Sequence, residues 1–362
     1  MQIKRDRQAL HTIPEIGMVL PKTAAYIKNA LKNLNCKVTS PLEYAVCAYF
    51  DFGADHAIAF RADMDALTVT EETGLPFAST HIGQMHACGH DGHMAILLEL
   101  ARRLSEKKSL PHNVLLIFQP GEESPGGAEP LCQTGILEAH NVKAVFGLHL
   151  WPGAEKGVIC TRKNELMSRG SELNIDIYGK SAHISNPAAA IDATAAAVEF
   201  YRQARQAEAE LPDNVYRLLN FGMFNSGTVR NALSAHATLE GSLRTFYDDI
   251  FNGLRDKIFA IAADVEEKFG CKVDIWMSEG YPAVLNDPEL VDRVYQVAPF
   301  QWLDKPSLAS EDFAQYQLRV PGVFFFLGVG NTAALHATTF NFDEDVLLSG
   351  ADFFERLAEN FQ

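Results

Sequence analysis

The 362-residue chain is 47% hydrophobic and 21% charged, which supplies apolar side chains for about two cored domains and excludes global disorder. Its 31 Lys and Arg face 46 Asp and Glu, a formal net charge of −15, so its surface repels phosphate backbones and nucleic acid is not an expected partner. No apolar run approaches the roughly 20 residues that cross a bilayer, so no membrane association is expected, and the six scattered cysteines (Cys36, Cys47, Cys88, Cys132, Cys160 and Cys271) form no spaced disulfide framework and read as reduced thiols of a cytoplasmic protein.

The opening MQIKRDRQALHTIPEIG lacks the apolar core of a secretory signal. RDRQALHTIPE and KTAAYIKNALKNL have helical spacing, and HAIAFRADMD reads as a strand running into a polar turn. HMAILLELARRLSEKK is an amphipathic helix with basic residues in its last turn. NVLLIFQP and AVFGLHL are short strands of the buried type. This rhythm predicts an α/β sheet with helices on its faces.

The texture changes near residue 168. SELNIDIYGK alternates like a strand with one wet face, IDATAAAVEFYRQARQAEAEL is a long helix, and LLNFGMFNSG and HATLEGSLRTF are strands. DDIFNGLRDKIFAIAADVEEKFG is a second long helix and KVDIWMSEG a last strand. Strand, helix, strand, strand, helix, strand is the order of a ferredoxin-like sandwich. After about residue 279 the α/β texture returns with VPGVFFFLGVG and a closing helix around LLSGADFFERLAENF. The expected organisation is therefore residues 1–167 and 280–362 as one α/β domain, with 168–279 inserted as a smaller α+β domain.

QMHACGHDGH, residues 84–93, concentrates one thiol and three imidazoles before a helix. Cys88 and His90 can converge on one point as ligands of a borderline divalent metal, although the segment alone also suits a buried structural cluster or a cysteine nucleophile. IFQPGEE then sets Glu122 and Glu123 side by side after an apolar strand, where one carboxylate can bind metal and the other act as general base. His149 near the end of AVFGLHL and His336 after VFFFLGVG complete a series of strand ends that carry donors, the place where sites assemble in open α/β sheets. Cys88, His90, Glu123, His149 and His336 make five ligands, which suits two metals about 3.5–4 Å apart. A closed structural zinc site takes four N/S ligands and no carboxylate, and a cysteine hydrolase would leave the EE pair and later histidines idle. GKS in YGKSAH lacks the P-loop glycine, since Asn174 stands there, and GVGNTA lacks a following βαβ unit.

Taken together, RQALHTIPE, AFRADMDAL, MHACGHDGH, FQPGEE, GLHL, YGKSAHISNP, GTVRNALSAH, GSLRTF, SEDF and LHATTF resemble the metal-dependent aminoacylase and carboxypeptidase superfamily. The resemblance is to its amidohydrolase branch of hippurate hydrolases, auxin-conjugate hydrolases and N-acetyldiaminopimelate deacetylases. It implies a catalytic domain with a dinuclear metal site and an inserted lid domain that mediates homodimerisation. It makes Cys88, His90, Glu123, His149 and His336 the ligands of two divalent ions (zinc, manganese, nickel or cobalt), Glu122 the catalytic base, and Asp63 an acidic residue orienting a ligand. In the lid it implies that His183, Asn231 and Arg244 reach the substrate, His183 also stabilising the oxyanion, in cis or from the dimer partner. The chain departs from the family pattern at Thr68, Gly121, Ser181, Ala182, Ser310 and the LHAT that carries His336, none of them a proposed ligand.

The expected reaction is hydrolysis of the amide of a small N-acyl amino acid, whose carboxylate Arg244 can hold through two parallel hydrogen bonds. SPGGAEP after the EE pair resembles the deacetylases more than the hippurate hydrolases, which points to N-acetyldiaminopimelate of lysine biosynthesis. Hippurate-type or broad acyl-amino-acid hydrolysis and dipeptide hydrolysis follow. A non-catalytic binder on the same fold is the alternative of another class, and the presence of Glu122 speaks against it, because a binder needs ligands but no base.

Overall fold

The structure is a computed structural model and describes residues 1–361. The chain divides into two compact units: Met1–Leu166 with Val284–Pro306 and Asp312–Gln362, and Met167–Ala283 with Ser307–Glu311. Among the described residues no helix is long and apolar enough to cross a membrane, and all six cysteines are free thiols.

The first unit is built on an eight-stranded sheet ordered Lys37–Thr39, Val46–Phe50, Asn113–Gln119, Ala57–Asp63, Val142–Pro152, Gly322–Gly330, Ile159–Thr161 and Gln301–Trp302. The four central strands, from Asn113–Gln119 to Gly322–Gly330, run parallel. Their apolar runs are continuous rather than alternating because helices cover both faces, and every residue of Ala57–Asp63 and Asn113–Gln119 is buried. The helix His90–Glu106 contributes Met94, Ile96, Leu97, Leu98 and Leu100 to the same core as Phe60, Phe146, Phe325 and Phe354. Parallel registration brings the carboxyl ends together, with Asp63 opposite Gln119 and His149 opposite Phe326. Strand Ala57–Asp63 stops pairing with Val142–Pro152 at Arg61 opposite Gly147, so the last residues of the longer strand extend past it.

The second unit is an antiparallel sheet ordered Lys272–Met277, Arg169–Tyr178, His236–Thr245 and Leu218–Ser226. Two helices, Ala193–Ala209 and Asp248–Phe269, bury one face, packing Phe200, Leu254 and Ile258 against Leu173, Ile175, Ile177 and Leu239. Asp192 starts the first helix by accepting the backbone N–H of Thr194 at 2.9 Å. Strand order and connectivity are those of a ferredoxin-like sandwich.

The second unit begins at Met167 and runs to Ala283, four residues past the expected 279, and takes in a further segment. Ser307–Glu311 belongs to the second unit, because Ser307 bridges Met167 and Leu308 accepts hydrogen bonds from Ser168 Oγ at 2.8 Å and Arg244 Nη1 at 2.7 Å. The short flanking strand Val46–Phe50, buried and antiparallel to Asn113–Gln119, is also absent from the elements expected of the sequence.

Candidate metal centre

The donor side chains gather at the carboxyl edge of the parallel strands. Cys88 and His90 flank Gly89, whose φ of +86° opens the helix His90–Glu106 and whose added Cβ would lie 3.0 Å from Leu150 Cδ1. Glu122 and Glu123 follow the strand Asn113–Gln119 through Gly121, at φ +73°, where a Cβ would meet Met18 Sδ at 2.4 Å. Their backbone N–H groups donate to the two carboxylate oxygens of Asp65 at 2.9 and 3.1 Å. His149 lies on Val142–Pro152. His336 sits at φ +66°, an uncommon conformation for a side-chain-bearing residue, and its N–H donates to Ala87 O at 2.8 Å, which ties its loop to the residue before Cys88.

Cys88 Sγ lies 3.3 Å from Nε2 of His149 and 3.3 Å from Nε2 of His336. Two donor groups result, Cys88–His90–His149 and Cys88–Glu123–His336, each with its ligand atoms within 4.8 Å of one another. The thiol is common to both. Glu123 Oε1 stands 3.3 Å from His336 Nε2 and 3.9 Å from His90 Nε2, and Glu122 Oε2 stands 4.0 Å from His90 Nε2.

The protonation pattern fits divalent cations. His90 donates Nδ1–H to Asp65 O at 2.8 Å and His149 donates Nδ1–H to Leu150 O at 2.7 Å, so Nε2 is the nitrogen each turns to a cation, which on His90 displaces a proton. His90 Nε2 and Glu123 Oε1 are buried without a hydrogen-bond partner, an arrangement that costs about 1–3 kcal/mol per group unless another partner satisfies it. Burial, with Glu123 and Glu122 close by, pushes the Cys88 thiol well above its ordinary pKa. Burial would lower His90, but Asp63, Asp65 and Glu123 outweigh it and raise it to about 10. Burial and neighbouring His93 hold His149 at about 3, in the neutral form a metal requires. The cluster is rich in anionic donors and short of positive charge, which is the deficit a pair of divalent cations makes good.

The expected ligands and Glu122 are thus brought together. Asp63 lies at the base of the cluster, but its short contacts are His93 Nδ1 at 2.6 Å and Arg61 Nη1 at 2.7 Å, while His90 Nδ1 is 3.7 Å away. The residue that directly orients His90, Glu122 and Glu123 is Asp65, which the sequence reading passed over; the alternation of RADMD, with two acids on one side of the chain, was the available signal. Arg61 continues to Gln119 Oε1 at 2.8 Å and Asp312 Oδ1 at 2.8 Å, a buried network at the strand ends. Burial raises the Asp312 carboxyl. His86, the first imidazole of the MHACGHDGH stretch, belongs to neither donor group; its ring lies 6.3 Å from His11, and burial holds its pKa at about 3.

The three residues expected to reach substrate lie in the second unit. His183 and Asn231 are exposed and tied together, since Ile184 N–H donates to Asn231 O at 3.0 Å, and His183 Nδ1 is 2.7 Å from Ser185 Oγ. Arg244 is half-buried, which lowers its pKa, and it donates to Leu308 O and Ser310 Oγ, with no carboxylate partner among the described residues.

A model of peptidase family M20/M25/M40 matches residues 59–360. Uncharacterized hydrolase SH1513 of Staphylococcus haemolyticus is 33% identical over 374 residues, covering 99% of this chain and 98% of that protein. The crystal structure of Bacillus subtilis YXEP, described as a dinuclear metal binding peptidase of the M20 family, is 30% identical with a TM-score of 0.85, covering 99% of this chain and 96% of that one. A crystal structure from methicillin-resistant Staphylococcus aureus is 30% identical with a TM-score of 0.88, covering 98% and 95%.

Proposed function

The chain belongs to peptidase family M20/M25/M40, a hydrolase with a catalytic α/β domain and an inserted lid domain, and from that premise we propose that it cleaves the amide of an N-acyl amino acid with Glu122 as general base. The observation that carries the reading is the division between the paired glutamates: one Asp65 carboxylate holds both backbones, and only Glu123 belongs to a donor group with Cys88.

Cys88, His90 and His149 would hold one cation and Cys88, Glu123 and His336 the other. Divalent cations in such a site acidify water and polarise a carbonyl. Glu122, almost fully buried beside His90, takes the proton of the attacking water on its carboxylate and returns it to the leaving amine. Arg244, with no carboxylate partner among the described residues, is assigned to the substrate carboxylate, and His183 and Asn231 to the substrate acyl region.

The narrowest form of the reading is N-acetyldiaminopimelate, supported by the resemblance of SPGGAEP to that subgroup. Dipeptides are the second reading, favoured by the description of the Bacillus subtilis relative as a peptidase. The lid is assigned to homodimerisation; its edge strand Leu218–Ser226 leaves Met223 and Phe224 about half exposed. The test is amine release from acetyl and benzoyl amino acids and dipeptides by protein reconstituted with zinc, manganese, nickel or cobalt. Faster release from acyl amino acids than from dipeptides is expected. A metal-loaded chain that releases amine from none of them would mark a binding protein instead.

A further inference from the structure

The strand that carries His149 loses a neighbour where that residue sits. Its pairing with Ala57–Asp63 ends at Gly147, while its pairing with Gly322–Gly330 continues to Pro152. Backbone N–H groups alternate sides along a strand. Those of Val145 and Gly153 reach Pro321 O and Gly330 O on the Gly322–Gly330 side, so the N–H of Leu150 faces the side where pairing has stopped. His93 Nε2 accepts that N–H at 2.9 Å.

This contact sets the tautomer of His93. With Nε2 accepting, the ring proton is on Nδ1, which donates to Asp63 Oδ1 at 2.6 Å, and the other Asp63 oxygen accepts from Arg61 at 2.7 Å. Both nitrogens are engaged. His93 therefore has no lone pair for an ion, although Asp63, His90 and His93 lie close enough together to suggest one. The carbonyl of the same residue, Leu150, accepts His149 Nδ1–H at 2.7 Å, the bond that leaves Nε2 of His149 facing Cys88.

We propose that His93 is a positioning residue for the metal ligand His149: it stands in for the missing strand partner, clamps the main chain at Leu150, and through the carbonyl of that residue fixes the ring and tautomer of His149. The inference rests on the two-cation reading above. It makes the Cys88–His90–His149 position depend on His93 and leaves the Cys88–Glu123–His336 position independent of it.

The experiment is titration of metal-free wild type, His93→Phe and His93→Gln with cobalt(II), read by calorimetry and by the thiolate-to-cobalt absorption, alongside urea unfolding of each protein. Phe fills the ring volume and accepts nothing; Gln keeps an acceptor. Expected for folded His93→Phe is one equivalent bound as in wild type and one weakened about 10–100-fold, with partial recovery in His93→Gln. A purely structural role would shift the unfolding midpoint and leave both affinities in place, and that result overturns the proposal. Should His93→Phe fail to fold, histidine-selective nitrogen NMR of the wild type decides: a proton on Nδ1 of His93 supports the clamp, and one on Nε2 overturns it. A wild type that binds no divalent cation would instead remove the two-cation reading, a result distinct from two unchanged affinities in the variant.

Discussion

Asp65 accepts the backbone N–H of Glu122 at 2.9 Å, which fixes the main chain of the base proposed for catalysis where its carboxylate stands 4.0 Å from His90 Nε2. Glu122→Gln keeps the shape and removes the basic oxygen. The expected outcome is unchanged cation content with turnover lower by about 10²–10⁴-fold. Elemental analysis and an amine-release assay on the same preparation check it, and turnover near wild type would remove Glu122 from the mechanism.

Cys88 is the only residue common to the two donor groups that contain His149 and His336. Cys88→Ala therefore weakens both cation positions, whereas His336→Ala weakens only the one it shares with Glu123. Equilibrium dialysis should find about two cations in wild type, fewer than one in Cys88→Ala, and about one in His336→Ala. Equal losses in the two variants would mean that the thiol does not join the positions.

The elements most legible in the sequence were those whose pattern reports their surroundings. NVLLIFQ and VFFFLGVG are apolar without alternation because helices cover both sides of the sheet, and their ends place Glu122, Glu123 and His336. Val46–Phe50 was not legible: VCAYF is short, and its place beside Asn113–Gln119 is decided by tertiary pairing. The same limit applies within the site. Cys88, His90 and the EE pair announce themselves by residue type, but Asp65 acts largely through backbone groups that Glu122 and Glu123 share with every other residue. The second unit's hold on Ser307–Glu311 likewise depends on main-chain carbonyls, which leave no mark on side-chain chemistry.

Arg7 and Asp91 form a buried pair at 2.9 Å, with the Arg7 guanidinium 4.3 Å from the Phe342 ring and His11 Nδ1 2.8 Å from the same Asp91 oxygen. Burial opposes the charge on Asp91, but Arg7 and His11 outweigh it and hold the carboxyl far below its ordinary range. Arg7→Met leaves Asp91 with His11 alone, and the expected loss is about 3–5 kcal/mol. Asp91→Leu leaves the guanidinium with Asn341 Oδ1 at 2.9 Å and Glu344 at 3.4 Å. The double variant should be less destabilised than the two singles summed, because neither charge of the pair then remains. Urea unfolding of the four metal-free proteins closes the cycle, and strict additivity would show that the pair is uncoupled.

His112 supplies a pH dependence away from the metal centre, since it precedes the amino end of Asn113–Gln119 and the donors lie past the carboxyl end. Its side chain is buried, Nε2 has no hydrogen-bond partner, and the His56 ring lies 6.2 Å away. Burial first, and His56 second, lower its pKa to about 4 in the folded chain. In the unfolded chain it takes its proton near pH 6.5. Between these values the unfolded state binds more protons, so the contribution of neutral His112 is complete above about pH 6.5 and is lost as pH falls toward 4. His112→Phe cannot titrate. Its unfolding free energy, measured in urea on metal-free protein from about pH 4.5 to about pH 7.5, should therefore fall less steeply with acid than that of wild type. The gap between the two curves should close or reverse toward the acid end, and curves that stay parallel would show that His112 titrates in the folded chain as it does in the unfolded one.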